Sequence, residues 1–378
     1  MIASSTNSDR ERSLVHLAVA LPESRRSAPR PAVEAGGVSL GRRLRDWKTL
    51  LGFGISAGII VFFILTAHLD LAAIWTNVQR ADLQYLVVAL AVYLGAFVLR
   101  GLRWRLLLSK SDLGNDVRLP SLAGLIEIIY LSWFVNCLVP AKLGNAYRAY
   151  LLKRDTGADL GRTLGTVVGE RMADVLALVA LLLGSGLLIL GKLVGAEVNL
   201  TLILLLGVGL ALAIGVGVVT LRTAAGRLSD RLPVRRRVTF LRFVEGMSRT
   251  FRLDIQLPLY GLTALIWACE ALRIWLVLES FRIMGLTPGV VIFTALAGSL
   301  LSTIPFTPAG LGAVEGASVA ILSAFGVATT LAGAVAVVDR VINYWSNIPL
   351  GGLLYLIRAR RERVHAASVP EEEALMAA

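Results

Sequence analysis

Long apolar segments separated by short polar stretches dominate the chain. An apolar helix of about 20 residues spans the hydrocarbon core of a bilayer, which is about 30 Å thick. Because backbone groups in lipid must bond to one another, such segments are predicted to be α-helices rather than open sheets. Six segments are long enough to be full spans, and they cover about residues 51–67, 83–99, 164–190, 200–221, 257–280 and 331–356.

Two further apolar stretches are followed or broken by proline and glycine, which interrupt helical hydrogen bonding. The first, Leu122 to Val139, has basic residues on both sides, so both of its ends are predicted to face the same side of the membrane. The second consists of two short pieces, Val290 to Ile304 and Val314 to Phe325. We predict two re-entrant helical hairpins beside the six spans. A plain span is the alternative for the first, and hydropathy alone gives seven or eight spans.

Three short sequence matches recur in the same order, at a nearly constant offset of a little under half the chain length. They pair Leu102-Arg103-Trp104 with Leu272-Arg273-Ile274-Trp275, Pro140-Ala141-Lys142-Leu143-Gly144 with Pro308-Ala309-Gly310-Leu311-Gly312, and Glu170, Arg171 and Asp174 with Asp339, Arg340 and Asn343. Each half would hold three spans and one hairpin, so the second half is predicted to be upside down relative to the first. We therefore predict two inverted-topology repeats, over about residues 50–190 and 200–357. Chance matches in a chain rich in Leu, Ala and Gly are the alternative.

The composition agrees with an integral membrane protein. Hydrophobic residues make up 56% of the chain and charged residues 17%, against about 25% charged residues in typical globular domains. The net charge is +12, but the basic residues flank apolar segments, which is typical of cytoplasmic loops in membrane proteins. We therefore expect no nucleic-acid partner.

The basic flanks also predict the topology. Residues 1–46 are predicted to be a disordered cytoplasmic tail, residues 47–357 the transmembrane domain, and residues 358–378 a second cytoplasmic tail. The arginine-rich stretch 222–252 is predicted to be a cytoplasmic loop that contacts anionic lipid headgroups. The basic residues from Arg100 to Lys110 are interpreted as the cytoplasmic flank of the preceding span.

Residues for common catalytic chemistry are sparse. Cys137 and Cys269 each lie in an apolar stretch, and no histidine lies deep in a predicted span. The sequence also lacks the nucleotide-binding, zinc-protease and serine-hydrolase motifs. We therefore expect no metal, no cofactor and no enzyme activity. A membrane enzyme that uses Glu170 or Glu315 as an acid or base is the alternative.

Ionisable residues inside the apolar segments are the main functional candidates. Burying such a group in a membrane costs about 2.5 to 3.5 kcal/mol, so each is expected to face a partner or a polar cavity. One interpretation is a set of ion pairs that only stabilises the bundle. The other is a midplane cavity whose arginines bind an anionic headgroup. The candidate headgroup residues are Glu170, Arg171, Asp174, Glu270, Arg273, Asp339, Arg340 and Asn343.

The two broken helices supply a second set of candidates. A new helix begins after each break, and the exposed N–H groups of a helix start favour a phosphate. Simple turns between spans are the alternative. The candidate gating residues are Asn136, Pro140, Gly144, Arg148, Pro305, Pro308, Gly310, Gly312 and Glu315.

Five sequence blocks resemble a known family. They are RGLRWRLLL (100–108), NCLVPAKLGNAYR (136–148), GTVVGERMADVLAL (165–178), IPFTPAGLGAVEG (304–316) and VVDRVINYW (337–345). Together they are similar to the flippase-like membrane domain of bacterial lysylphosphatidylglycerol synthases and of the stand-alone YbhN-like proteins. The most specific block runs from Thr307 to Glu315, and Ala309 stands there where the family often has glycine.

The resemblance implies a flippase of the bacterial inner membrane that moves an anionic or isoprenoid-type lipid between leaflets. It does not imply lysine transfer, because the synthases carry a large soluble domain after the membrane part and only a short segment follows the last predicted span here. The implied partners are membrane lipids, with a second copy of the chain or envelope-lipid enzymes as further candidates. The alternative function is a membrane enzyme, or an accessory subunit of a lipid- or envelope-modifying enzyme.

Overall fold

The structure of the protein is a computed structural model. It describes residues 70–111, 113, 117–139, 143–193, 200–303 and 308–376, and three isolated residues before them. The predicted N-terminal tail, the first predicted span, Pro140 and Pro305 lie outside the described residues, as does the side chain of Pro308.

The described chain is helical, which confirms the all-α prediction for these residues. The α-helices in chain order are α1 (Leu71–Gln79), α2 (Leu83–Lys110), α3 (Leu122–Leu138), α4 (Leu143–Thr156), α5 (Leu160–Leu193), α6 (Leu200–Ser229), α7 (Val234–Arg249), α8 (Leu253–Ser280), α9 (Pro288–Thr303), α10 (Ala313–Ala324), α11 (Thr329–Arg340) and α12 (Asn347–Met376). A 3₁₀ turn, Pro308–Gly310, precedes α10, and a π-helical turn, Val341–Trp345, joins α11 to α12.

Helices α2 and α8 pack against each other along their length. Of the residues that the structure describes, these two helices are the ones both long and apolar enough to cross a membrane. Residue numbers rise along α2 as they fall along α8 through the contacts between the two helices. The contact pairs, in order, are Asp82 with Ser280, Arg100 with Glu270, Arg103 with Thr263 and Lys110 with Asp254. Two helices that correspond in the sequence repeat are therefore antiparallel.

The end of the second predicted span needs a correction. The sequence placed Arg100 and Arg103 outside the membrane, in the flank after Leu99, but α2 continues to Lys110 and buries both arginines. The physical reason is charge pairing, because carboxylates on α5 and α8 neutralise the two guanidinium groups. A hydropathy count ends at the first charge, whereas a helix with paired charges continues.

The packing of the remaining helices follows the same correspondence between the two halves. Helix α2 contacts α3 as α8 contacts α9, and α4 contacts α5 as α10 contacts α11. Helix α3 also packs on α12 while α9 packs on α5, so each hairpin lies against the last helix of the other half. The contact of α1 with α11 likewise corresponds to the contact of α7 with α5.

Each of the two predicted hairpins is a pair of helices in mutual contact, α3 with α4 and α9 with α10. The second break is a left-handed turn, because Ala309, Gly310 and Gly312 all have positive φ, at 47°, 73° and 87°. Glycine suits position 310 for a second reason, since a Cβ there would lie 2.8 Å from the Cα of Ser302. The turn therefore lets α10 fold back closely on α9.

The basic stretch 222–252, predicted as a cytoplasmic loop between spans, is helical over most of its length. Helix α6 continues to Ser229, and α7 then packs closely on α5. This contact depends on small residues, because a methyl group at Gly161 or Gly165 of α5 would overlap a backbone carbonyl of α7. Close backbone approach at glycines spaced by four residues is a common way to pack membrane helices. Helix α7 is rich in arginine and has no long apolar run, so a hydropathy scan does not detect it.

The last predicted span, 331–356, is built from α11, the π-helical turn and α12. Helix α12 continues without interruption to Met376, so the predicted tail 358–378 is helical over the described residues. The π-helical turn follows Asp339 and Arg340 directly and places their side chains beside the candidate site.

Candidate functional site

A cavity of about 170 Å³ lies among helices from both halves. Its lining includes five arginines and three carboxylates, which are Arg100, Arg103, Arg171, Arg273 and Arg340, and Asp174, Glu270 and Asp339. These charged residues lie on four helices, α2, α5, α8 and α11. The lining contains more positive than negative side chains.

The first charge cluster is centred on Arg103. Its guanidinium group lies 2.6 Å from Asp174 and 2.7 Å from Glu170 and also donates to the Thr263 hydroxyl. The second oxygen of Glu170 accepts from Arg148 at 2.9 Å, and the Arg148 guanidinium lies 3.9 Å from the centre of the Trp104 ring. Glu170 and Arg148 are fully buried behind the cavity and do not line it.

The second cluster repeats this arrangement in the other half. Arg273 pairs with Asp339 and, at 3.0 Å, with Glu270. Asn343 donates to the other oxygen of Asp339 at 2.7 Å. The offset that relates the sequence matches also relates Arg103 to Arg273 and Glu170 to Asp339. The ion pairs of the two clusters therefore join residues that the sequence matches predict to correspond.

Arg100 connects the two clusters. It pairs with Glu270 at 2.6 Å, and these two residues occupy corresponding positions of the two halves. The guanidinium group also lies over the rings of Phe97 and Trp133, at 5.1 and 4.8 Å from their centres. Its Nη1 atom is buried without a hydrogen-bond partner among the described residues. Arg100 therefore lines the cavity and carries one donor that no described residue satisfies.

The equivalent residues Arg171 and Arg340 differ in their surroundings. Arg340 donates to Glu315 at 2.7 Å, to Asn343 at 3.4 Å, and to the carbonyls of Ala309 and Gly310 at 3.2 Å each. Arg171 pairs with Asp174 at 3.2 Å, its side chain is 37% exposed, and its Nε has no partner in the described part of the chain. Arg340 therefore holds the left-handed turn, whereas Arg171 faces the cavity.

The two helix starts predicted as phosphate sites are partly closed by the protein itself. The Gly144 N–H donates to the side chain of Asn136 at 2.9 Å, and the Gly312 N–H donates to Glu315 at 2.7 Å. Asn136 lines the cavity, but Gly144, Gly310, Gly312 and Glu315 do not. These residues fix the hairpin geometry, and their own hydrogen bonds leave less room for a ligand at the helix starts.

Sequence reasoning missed two central residues, Arg100 and Arg103. A signal for them existed in the repeat, because Arg103 aligns with Arg273 and Arg100 aligns with the oppositely charged Glu270. It also missed Tyr93, whose hydroxyl donates to the carbonyl of Asn343 at 3.0 Å and accepts from Asn347 at 2.7 Å. That contact ties α2 to the π-helical turn next to the cavity.

Comparison with known proteins gives the family. The sequence model of the lysylphosphatidylglycerol synthase transmembrane region matches residues 49–351. The chain belongs to this family. The match covers every residue of the cavity lining and confirms the resemblance carried by the five sequence blocks.

Relatives of this family member are known from archaea. A UPF0104 membrane protein of Methanocaldococcus jannaschii is 30% identical over 228 residues, which is 60% of this chain and 95% of the relative. Another, from Methanothermobacter thermautotrophicus, is 28% identical over 319 residues, 77% of this chain and 91% of the relative. A Haloferax volcanii protein named glycosyltransferase AglD is 26% identical over 328 residues, 76% of this chain but 51% of that protein. The chain is therefore similar to nearly the whole length of the two UPF0104 membrane proteins and to about half of the protein named glycosyltransferase AglD.

Proposed function

We propose that this protein transfers a lipid with an anionic, phosphate-bearing headgroup between the leaflets of its membrane. The observation that carries the proposal is the cavity lined by five arginines and three carboxylates. Arginine binds phosphate in bidentate geometry. Arg100, Arg103 and Arg171 each keep a nitrogen without a hydrogen bond within the described residues, but both terminal nitrogens of Arg103 already bond to protein side chains. Arg100 and Arg171 are the proposed headgroup ligands. The other arginines hold the carboxylates that shape the cavity.

The size of the cavity supports a headgroup site rather than a site for a whole lipid. A volume of about 170 Å³ suits a phosphate with a small substituent, while acyl or isoprenoid chains stay outside in the bilayer. Binding only the polar part lowers the cost of moving charge through hydrocarbon, which is the main barrier to lipid transfer. The choice between a glycerophospholipid and a polyprenyl phosphate is an outcome of the test below.

Two features of the helix packing support a transfer mechanism based on inverted repeats. Equivalent helices α2 and α8 are antiparallel, and each hairpin packs on the last helix of the other half. In transporters with inverted repeats, the substrate site lies at the interface of the repeats and opens alternately to each side as the repeats rock. We propose the same two inverted repeats here, with Arg100 and Glu270 near the pseudo-two-fold axis. Six full spans and two hairpins remain part of this proposal.

A second candidate function is an accessory role to a lipid-linked transferase. It is favoured by the relative named as a glycosyltransferase, of which this chain matches 51%. An acid or base role for Glu170 or Glu315 has less support. Both oxygens of Glu170 bond to arginines, and those of Glu315 bond to Arg340 and the Gly312 N–H.

The proposal is tested by reconstituting the purified protein in liposomes that contain a trace of fluorescent lipid. Headgroup-labelled phosphatidylglycerol, phosphatidylcholine and a labelled polyprenyl phosphate are compared, and an impermeant reductant bleaches only outer-leaflet label. We expect an anionic lipid to be bleached beyond the outer-leaflet half at a rate that protein-free liposomes do not show. Bleaching that stops at half for every anionic lipid contradicts transfer and favours the accessory role.

A further inference from the structure

A second basic groove lies between α6 and α7, apart from the central cavity. It has a volume of about 470 Å³, and its charged lining consists of Arg222, Arg249, Arg252 and Glu245. The floor is apolar, formed by Ala225, Leu241 and Val244, of which Ala225 and Val244 are buried. A groove with cations at its rim and an apolar floor matches the two chemical parts of a membrane lipid.

The lining of this groove has more positive than negative charges. Glu245 is bonded to two arginines, because one of its oxygens accepts from Arg162 at 3.0 Å and the other from Arg249 at 2.9 Å. Arg252 pairs with Asp254, a residue outside the lining that also lies 3.6 Å from the Lys110 ammonium. For Arg222, no ion pair occurs within the described ranges. The lining therefore holds three positive charges against one, and its rim is exposed.

An apolar surface leads away from the groove along α6. Leu212, Val216 and Val219 are each about 60% exposed, and Arg222 follows on the same helix. Leu212 and Arg222 are ten helical steps apart, which is about 15 Å along the helix and about half the thickness of the hydrocarbon core. An acyl chain that runs from Arg222 to Leu212 therefore stays within one leaflet.

We propose that this groove binds the phosphate headgroup of an anionic phospholipid, with an acyl chain lying along α6. The bound lipid is a fixed partner of the α6–α7 surface and is separate from the lipid that the central cavity would transfer. It occupies the position at which α6, α7 and the start of α8 meet, so its binding stabilises the packing of α6 on α7.

The proposal is tested on the full-length protein in an uncharged detergent. Dioleoylphosphatidylglycerol is titrated, and bound lipid is counted by native mass spectrometry while the melting temperature is recorded. The groove variant carries Arg222→Gln, Arg249→Gln and Arg252→Gln. We expect one tightly bound lipid and a rise in melting temperature for the natural sequence, and an affinity lower by on the order of 100-fold for the variant.

A matched variant separates a site from general attraction to a basic surface. Arg227→Gln, Arg231→Gln and Arg236→Gln remove the same charge from exposed residues of the same segment outside the groove lining. This variant is expected to keep the bound lipid and the rise in melting temperature. Equal loss in both variants overturns the proposal, as does equal stabilisation by phosphatidylcholine or by inorganic phosphate alone. An Arg100→Gln protein is expected to keep the groove lipid, so failure of transfer and failure of this site are distinguishable.

Discussion

At the scale of single residues, the structure gives different surroundings to arginines that the sequence repeat makes equivalent. Arg340 bonds through its guanidinium group to Glu315, Asn343 and two carbonyls of the left-handed turn. Arg171 has Asp174 as its ion-pair partner and faces the cavity. The sequence predicted the same headgroup role for both. We propose instead that Arg171 binds a ligand and that Arg340 stabilises the second hairpin.

Arg171 gives the first prediction. Arg171→Gln should lower the initial rate of lipid transfer by roughly tenfold to a hundredfold, the value of a lost hydrogen bond to a charged group. Adding Asp174→Asn should not restore transfer, and it should lower the melting temperature further because Asp174 is also the ion-pair partner of the buried Arg103. Both quantities are measured on the single and double variants in the same liposomes. Recovery of transfer in the double variant means that Arg171 only neutralises Asp174.

Arg340 gives the second prediction, with Arg171 as its control. Arg340→Gln leaves Glu315 and the two turn carbonyls without their donor, and breaking a buried pair costs about 3 to 5 kcal/mol. The lower end of that range applies because 21% of the Glu315 side chain is exposed. The melting temperature should fall clearly more for Arg340→Gln than for Arg171→Gln. Equal falls show that Arg340 does not hold the turn.

The sequence predicted six of the eight charged residues that line the cavity in its candidate set, but it did not predict Arg100 and Arg103. In the sequence, an arginine just beyond an apolar run has the same pattern whether it lies at the membrane surface or forms an ion pair inside the helix bundle. The partner of Arg100 is Glu270, which is far away in the sequence, so no local pattern reveals the pairing. The one sequence signal for this ion pair is that Arg100 and Glu270, which have opposite charges, are separated by the same offset as the sequence matches.

At the scale of helices, hydropathy predicted most elements and missed those whose position depends on tertiary contact. Helices α5, α6 and α8 contain long apolar runs and were predicted close to their observed bounds. Helices α1 and α7 were predicted as connections, because α1 is short and α7 is rich in arginine. Their order comes from packing, α1 on α11 and α7 on α5, which a single segment does not encode.

The glycines of α5 give the third prediction. Gly165→Ala places a methyl group against the backbone of α7 and should destabilise the protein by separating the two helices. Gly184→Ala in the same helix meets no atom within 4 Å and should stabilise by up to about 1 kcal/mol, the difference in helix propensity. Melting temperatures in detergent check both variants. A neutral Gly165→Ala indicates that the α5–α7 contact is looser than described.

For the whole molecule, the proposed transfer mechanism requires two halves that run in opposite directions through the membrane. The antiparallel packing of α2 and α8 supports that arrangement, and positive residues outside the membrane predict that both termini lie in the cytoplasm. Arg100 and Arg103 lie inside the bundle, so Arg105 and Lys110 are the basic residues that still mark the predicted cytoplasmic end of α2. The predicted orientation is unchanged, but fewer basic residues support it.

Orientation gives the fourth prediction. Arg236→Cys is introduced into a protein in which Cys137 and Cys269 are replaced by serine, and intact cells are treated with a membrane-impermeant maleimide. Position 236 is exposed in α7, so the thiol should react only after the cells are permeabilised. Labelling in intact cells places the basic segment outside and reverses the proposed topology.

The proposed headgroup site is tested by comparing two arginines of α2 in the lipid-transfer assay. Arg100 lies in the cavity, whereas Arg105 is exposed on the same helix and is absent from the lining. Arg100→Gln breaks a buried pair and should lower the melting temperature, but Glu270 keeps its bond to Arg273, so the variant should still fold. We predict that folded Arg100→Gln protein shows an initial rate of anionic-lipid transfer lower by roughly tenfold to a hundredfold, while Arg105→Gln transfers as the natural sequence does. Equal transfer rates for the two folded variants would contradict a headgroup site in this cavity.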